Sequence, residues 1–149
     1  MMNIRKMTTD DIEDVLKISV EQFGKHSWGK SLFLDDIEKE NKFAYVLTKD
    51  KTLIAFIIFM LTESEAGLEY NITNLATKQE YKKMGYAQEL ISFVKNFSKQ
   101  NQICKIWLEV RESNLPAINL YEKLGFKTDY IRKNYYSDGE NACIMSFNL

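Results

Sequence analysis

The chain predicts an α/β fold with a mixed, mostly antiparallel central sheet flanked by helices, and three observations lead there. Runs rich in β-branched and aromatic residues, such as Phe43 to Thr48 and Leu68 to Thr77, have the composition of strands. Between them lie segments whose apolar residues recur at helical spacing, such as Ala87, Leu90, Ile91, Val94 and Phe97. No repeat, low-complexity tail or shift of composition divides the 149 residues, which suffice for one domain and are too few for two ordinary ones. Residues 1–149 are therefore expected to form a single domain.

The first element is a short strand at Ile4 to Lys6. A helix follows over about Asp10 to Gln22, with Ile12, Val15, Leu16 and Ser19 on one side and Thr8 or Thr9 as its cap. After the aromatic loop Phe23 to Gly29, a second helix is expected from Ser31 to Glu40, turning Leu32, Phe33 and Ile37 inward. Phe43 to Thr48 and Leu53 to Leu61 read as antiparallel strands joined by the polar turn Lys49-Asp50-Lys51. The second of these is apolar on both faces, as a central strand covered by two layers would be. Glu63 to Gly67 then reverses the chain into the strand Leu68 to Thr77.

A glycine-bearing turn and a long helix come next, then the strand Ile103 to Val110 and a helix from Pro116 to Leu124. Gly125 is placed to end that helix in a left-handed conformation. Phe126 to Arg132 and Asn141 to Leu149 supply a last pair of strands, linked around Ser137-Asp138-Gly139.

Composition narrows the function. Twenty Lys and Arg against 21 Asp and Glu leave a formal charge of -1, which gives no support to broad nucleic-acid binding. No long uncharged stretch is present to span a membrane, and Asp10, Asp11, Glu13 and Asp14 interrupt the region where a signal peptide would need an apolar run. The cytoplasm is the expected location. Cys104 and Cys143 sit in separate apolar runs without metal-ligand spacing, and read as reduced thiols. With His26 as the single histidine, no metal centre is expected.

The most telling stretch is Lys82-Lys83-Met84-Gly85-Tyr86-Ala87, where the hydrophobic period changes from strand to helix. Such a turn either only reverses the chain or aims several backbone N–H groups at a phosphate, aided by the field of the helix that follows. It is not a Walker loop, because no Gly-Lys-Ser/Thr ending is present, and it lacks the three glycines of a dinucleotide fingerprint. Further on, alternation along the strand puts Lys105, Trp107, Glu109 and Arg111 on one face. Glu109 there either pairs with Lys105 or Arg111, or takes a proton from an ammonium-type nucleophile at the strand end. Asn114 either caps the following helix or contacts a ligand. Tyr121 lies on that helix's apolar stripe, where it either packs or also carries its hydroxyl to a polar cleft.

The order of these parts resembles the Gcn5-related N-acetyltransferase superfamily, and more closely its RimI group of protein N-terminal acetyltransferases. The residues that carry the resemblance are Trp107-Leu108-Glu109-Val110-Arg111, Asn114, Ala117-Ile118, Leu120-Tyr121-Glu122, Leu124-Gly125-Phe126 and Ile131 to Tyr136. It covers nearly the whole chain. It implies a single-domain acyl-CoA N-acyltransferase fold with acetyl-CoA as cosubstrate and no metal. The family's Gln/Arg-x-x-Gly-x-Gly/Ala pattern appears as Lys82 to Ala87, with Lys82 in place of the first Gln or Arg. Lysine keeps the charge and loses the guanidinium fork, so backbone donation is the sturdier part of the match. By correspondence the acetyl-CoA contacts are Leu75, Ala76, Thr77, Lys83, Met84, Gly85, Tyr86, Ala87, Gln88 and Asn114. The resemblance further implies direct acetyl transfer, with Glu109 as general base, through ordered water, and Tyr121 as acid for the departing thiolate.

The implied acceptor is the N-terminal amine of a protein, extending to the N-terminal alanine of a small-subunit ribosomal protein. Trp28, Arg111 and Tyr136, with Tyr135 beside them, are placed to border a peptide groove. Each also has a plainer reading: Trp28 and Tyr135 as packing groups, Arg111 as a surface ion-pair member, Tyr136 as a rim aromatic. The first loop reads His26-Ser27-Trp28-Gly29-Lys30 where the group usually has Pro-Trp-Ser, which leaves room for another peptide, an internal lysine or a small amine such as a polyamine or aminoglycoside. A nonenzymatic acetyl-CoA-binding or interaction module is the alternative of another class. Oligomeric state is not legible.

Overall fold

The computed structural model describes all residues, Met1–Leu149. Its elements are β1 (Met2–Lys6), α1 (Ile12–Phe23), α2 (Lys30–Glu38), β2 (Lys42–Lys49), β3 (Thr52–Ser64), β4 (Gly67–Thr77), α3 (Tyr86–Gln100), β5 (Lys105–Arg111), α4 (Leu115–Lys123), β6 (Lys127–Arg132) and β7 (Ala142–Asn148). The strands form a seven-stranded sheet in the order β1-β2-β3-β4-β5-β7-β6. β4 and β5 run parallel, while β1/β2, β2/β3, β5/β7 and β6/β7 are antiparallel. The expected mixed, mostly antiparallel α/β architecture is the one observed.

The chain divides into two compact units, Met1–Met60 with Thr73–Val94, and Leu61–Ile72 with Lys95–Leu149. In the first, the register pairs Val46 with Phe56 and Ala44 with Ile58 on one face, and Tyr45 with Ile57 and Phe43 with Phe59 on the other. The first face packs with Ile12, Val15 and Ile18 of α1 and Phe33 of α2 in one core cluster. On the second face Tyr45 meets Phe93 of α3 with ring centroids 4.7 Å apart. β3 is thus buried on both sides from Leu53 to Phe59, as its unbroken apolar run requires. Fully burying each such side chain contributes about 1.5–3 kcal/mol.

Several boundaries differ from expectation for local reasons. The first helix is preceded by a 3-10 turn over Thr9–Asp11 with Thr8 at its N-cap, as expected, and Asp11 completes a capping box there: its Oδ2 accepts the Thr8 backbone N–H at 2.8 Å. Arg5 holds the same carboxylate through two 2.8 Å hydrogen bonds and, more than the Thr8 contacts, keeps it below its ordinary pKa. The second helix stops at Glu38, earlier than Glu40, as the chain turns extended at Lys39 (ψ 135°). β3 runs on to Ser64, beyond Leu61. The turn between β2 and β3 narrows to Asp50 and Lys51, both at positive φ, the backbone a tight two-residue hairpin demands.

In the second unit β5 buries Ile106, Leu108 and Val110, leaving Trp107, Glu109 and Arg111 half-buried on the opposite face. Asn71 of β4, itself buried, donates its side-chain amide to the Trp107 carbonyl at 3.2 Å. Trp107 Nε1 donates to Thr62 Oγ1 at 3.1 Å. Cys104 and Cys143 are free thiols, the latter buried.

Candidate active site

In the first unit, β4 ends at Thr77 and passes through a 3-10 turn over Gln79–Tyr81 into the lysine-rich loop. The turn is anchored from two sides. Lys78 N–H reaches the Ile54 carbonyl at 2.8 Å, and Glu21 Oε1 at the end of α1 accepts the Gln79 N–H at 2.6 Å. Lys83 then takes φ 63° and Gly85 φ 89°. The Gly85 carbonyl accepts the Glu89 N–H at 3.0 Å, which makes it the first acceptor of α3. By helix geometry the N–H groups of Tyr86, Ala87 and Gln88 precede any intrahelical acceptor and point out of the helix start.

Positive-φ residues on either side of Met84, just before a helix start, can turn nearby N–H groups toward one side, as an anion nest does. A Cβ built on Gly85 would meet nothing within 4 Å, so the backbone there is open to a ligand. Lys82, Lys83 and Met84 are exposed, Met84 at 63%. These residues fit a bound pyrophosphate: charge and N–H donors surround an unfilled approach. Leu75 is half-buried, and Ala76 and Thr77 are buried, on the strand that leads into it.

The second unit carries the titratable groups. Glu109 Oε2 accepts a hydrogen bond from the Tyr135 hydroxyl. That bond, before desolvation, raises the Tyr135 pKa, so its proton stays on the phenol. The plainer expectations for both residues are corrected here: Glu109 is held neither by Lys105 nor by Arg111, and Tyr135 does more than pack. Arg111 instead turns to the β6–β7 loop, where Nη1 lies 2.9 Å from both Asp138 Oδ2 and Glu140 Oε1. Its guanidinium carbon sits 4.0 Å from the Tyr136 ring centroid. Tyr136, in turn, meets Tyr135 edge to face at 5.0 Å. Burial first, then the Glu109 charge, pushes the Tyr136 phenol up to about 12.

Tyr121 is delivered by a helix whose two ends are both locked. At the start, Asn114 Oδ1 accepts the Ala117 N–H at 3.3 Å and Pro116 lies in the first turn, so the capping reading of Asn114 is what the geometry realises. At the end, Phe126 N–H reaches the Tyr121 carbonyl at 2.9 Å and Gly125 N–H the Glu122 carbonyl at 3.0 Å. This is a Schellman closure, with Gly125 at φ 95° and the Tyr121 and Phe126 rings in contact at 5.7 Å. A side chain at Gly125 would also press to 3.0 Å from Phe147. Lys95 Nζ donates to the Leu124 carbonyl at 2.5 Å and lies 3.9 Å from the Phe147 ring centroid. The ring of Tyr121 is buried, and desolvation raises its pKa to about 12.

The structure therefore brings Glu109, Arg111, Tyr135 and Tyr136 into one cluster within the second unit. Trp28 belongs to the first unit and packs on its core, tilted against Phe33 at 5.8 Å. Ser27 beside it shares a 2.7 Å hydrogen bond with Ser19 of α1. Missed from sequence were the Tyr135 bond to Glu109, the Asp138 and Glu140 partners of Arg111, and Lys95; only the Tyr135-Tyr136 pair offered any signal. No group of three or more His, Cys, Asp or Glu residues is arranged to hold a metal ion. No helix is long and apolar enough to cross a membrane.

Comparison with known proteins agrees with this fold. Residues 11–126 match the Acetyltransferase (GNAT) family. The ribosomal protein bS18-alanine N-acetyltransferase of Escherichia coli strain K12 is 32% identical over 152 residues, covering 100% of this chain and 99% of that protein. The N-alpha-acetyltransferase of Saccharolobus solfataricus is 28% identical over 152 residues, covering 96% of this chain and 90% of the relative. The crystal structure of the Escherichia coli ribosomal-protein-S18-alanine N-acetyltransferase superposes with a TM-score of 0.86 at 30% identity, covering 99% of this chain and 94% of that one. The chain belongs to the GNAT acetyltransferase family and is an acetyl-CoA-dependent N-acetyltransferase.

Proposed function

We propose that the protein acetylates the α-amine of a protein N-terminus, with the N-terminal alanine of ribosomal protein bS18 as its acceptor. The observation that carries this reading is the full-length likeness to an enzyme of that specificity, at 32% identity with 100% of this chain covered. Acetyl-CoA supplies an activated acyl group. Lys83, Met84, Gly85, Tyr86, Ala87 and Gln88 would hold its pyrophosphate through backbone N–H groups, with Leu75, Ala76, Thr77 and the side-chain amide of Asn114 contacting the rest.

An N-terminal amine arrives largely protonated and must lose a proton before its lone pair can attack. Glu109 takes that proton, directly or through water. The new N–C bond forms at the thioester carbonyl as the C–S bond breaks, leaving the electron pair on sulfur; the nitrogen sheds its second proton as the amide forms, which balances the proton the thiolate takes up. Tyr121 donates a hydrogen bond to that developing thiolate. With its phenol at about 12 and a thiol near ~8.5, complete transfer of the Tyr121 proton to sulfur is uphill by about 5 kcal/mol in this environment. Tyr121 therefore acts as a hydrogen-bond donor that stabilises the charge on sulfur before any proton transfer. Trp28, Arg111 and Tyr136 border the acceptor.

The test is steady-state transfer from acetyl-CoA to a panel of peptides beginning with Ala, peptides with blocked N-termini and internal lysines, and small amines, with products located by mass spectrometry. Turnover of free Ala-starting peptides is the expected result. Turnover confined to small amines or to internal lysine would overturn the acceptor assignment.

A further inference from the structure

We propose that Tyr135 is a positioning residue for Glu109: its phenol holds Oε2 of the carboxylate and leaves Oε1 as the oxygen that takes the acceptor's proton. The inference rests on the reading of Glu109 as general base and deepens it. A glutamate on a strand has three side-chain torsions, and an unrestrained one spreads its carboxylate over many positions. Proton transfer needs the accepting oxygen held to about 0.5 Å, which requires a second group whose own position is locked.

Tyr135 meets that requirement through the loop that carries it. Just before it, the Asn134 N–H is tied to Asn141 Oδ1 at 3.0 Å; just after it, the Tyr136 N–H is tied to the Glu140 carbonyl at 3.1 Å. Glu140 is in turn gripped by Arg111 at 2.9 Å and by the Ser113 N–H at 2.9 Å. The ring itself is braced edge to face by Tyr136 at 5.0 Å, while the Arg132 guanidinium lies 5.2 Å from its centroid. The Arg111 network thus reaches Glu109 through a chain of fixed contacts although Arg111 makes none with it. Its chemical role is to set where one phenol stands. The raised pKa of Tyr135 keeps the proton on that phenol, so it remains a donor throughout the working range.

The experiment is a double-variant cycle in the intact enzyme, read as the single-turnover rate with acetyl-CoA and an Ala-starting peptide. Tyr135→Phe keeps the ring and its packing and removes only the hydroxyl. It should slow transfer about ten-fold, the loss of one hydrogen bond to a carboxylate, with acetyl-CoA affinity unchanged. Glu109→Gln should slow it at least ~100-fold, and adding Tyr135→Phe to Glu109→Gln should cost nothing more. An equal loss from Tyr135→Phe in both backgrounds, or no loss in the wild type, would overturn the positioning role while the base stood. A wild-type rate in Glu109→Gln would remove the base reading and the inference with it. Independently, NMR of ring-labelled tyrosine should find Tyr135 ionising at lower pH in Glu109→Gln, and an unmoved titration would overturn the contact.

Discussion

The loop before α3 and the hairpin between β6 and β7 are built by opposite means. The first is made of backbone conformation: positive φ at Lys83 and Gly85, followed by the free N–H groups of a helix start. The second is made of single side-chain contacts, with the Tyr135 hydroxyl on Glu109 Oε2 and one guanidinium spanning Asp138 and Glu140. A site built from main chain tolerates substitution so long as the dihedral angles are kept, whereas one built from side-chain atoms does not. On the proposed reading of the loop as the phosphate site, Lys82 leaves the backbone donors of that site in place.

The contrast can be broken most forcefully at Glu109. Exchange to Gln removes the proposed proton acceptor without changing shape, and single-turnover transfer should fall by about 10²–10⁴-fold with acetyl-CoA affinity unchanged. Normal transfer in the folded variant would move the chemistry elsewhere.

A smaller effect, confined to the hairpin's unit, appears in alkali. Tyr121 is raised to about 12 by burial, so the unfolded chain ionises this phenol first, near ~10. The folded state then loses stability as pH rises from about 10 to about 12, by about 2–3 kcal/mol in all, and gains nothing from this group below that window. Denaturant midpoints across that range should fall less steeply in Tyr121→Phe than in the wild type. Parallel curves would show that this phenol is not desolvated.

Next comes Gly85→Val, which puts a β-branched residue at φ 89° where the structure itself offers no clash. Its cost is conformational and falls on the ligand's approach, so acetyl-CoA affinity, measured by calorimetry beside a circular dichroism control, should drop by about 1–3 kcal/mol. Retained affinity would mean that the nest is not the phosphate site. The smallest effect belongs to Lys82→Ala, expected to weaken binding by no more than about 1 kcal/mol, since an exposed ammonium acts through screened charge. A loss as large as that of Gly85→Val would make the side chain, and not the backbone, the principal binder.

Much of this fold could be read along the chain because its signals are local. The two-sided apolar run of β3, the helical spacing of α3, Asn114 as a cap and Gly125 as a stop all follow from sterics and hydrogen bonds within a few residues. The start of α1 was less legible, because a 3-10 turn over Thr9–Asp11 precedes it and Asp11 reaches back to the Thr8 N–H to complete the cap. Glu109 and Tyr121 stood out through the pattern of the whole chain, and their surroundings did not. Alternation along β5 put Lys105, Trp107, Glu109 and Arg111 on one face equally well and could not say which would pair.

The chain alone thus determined the elements, their order and the turns that demand left-handed backbone, since short-range geometry leaves few choices there. Only the tertiary structure decided that Tyr135 meets Glu109, that Arg111 turns to the loop and that Trp28 joins the first unit's core. Those partners lie in distant segments, and their meeting depends on register. β6 shifts its pairing with β7 between Thr128 and Tyr130, and a slip of one residue exchanges the side chains that each face presents. Register is settled by the sum of many weak contacts across strands, a quantity that no short stretch of sequence contains.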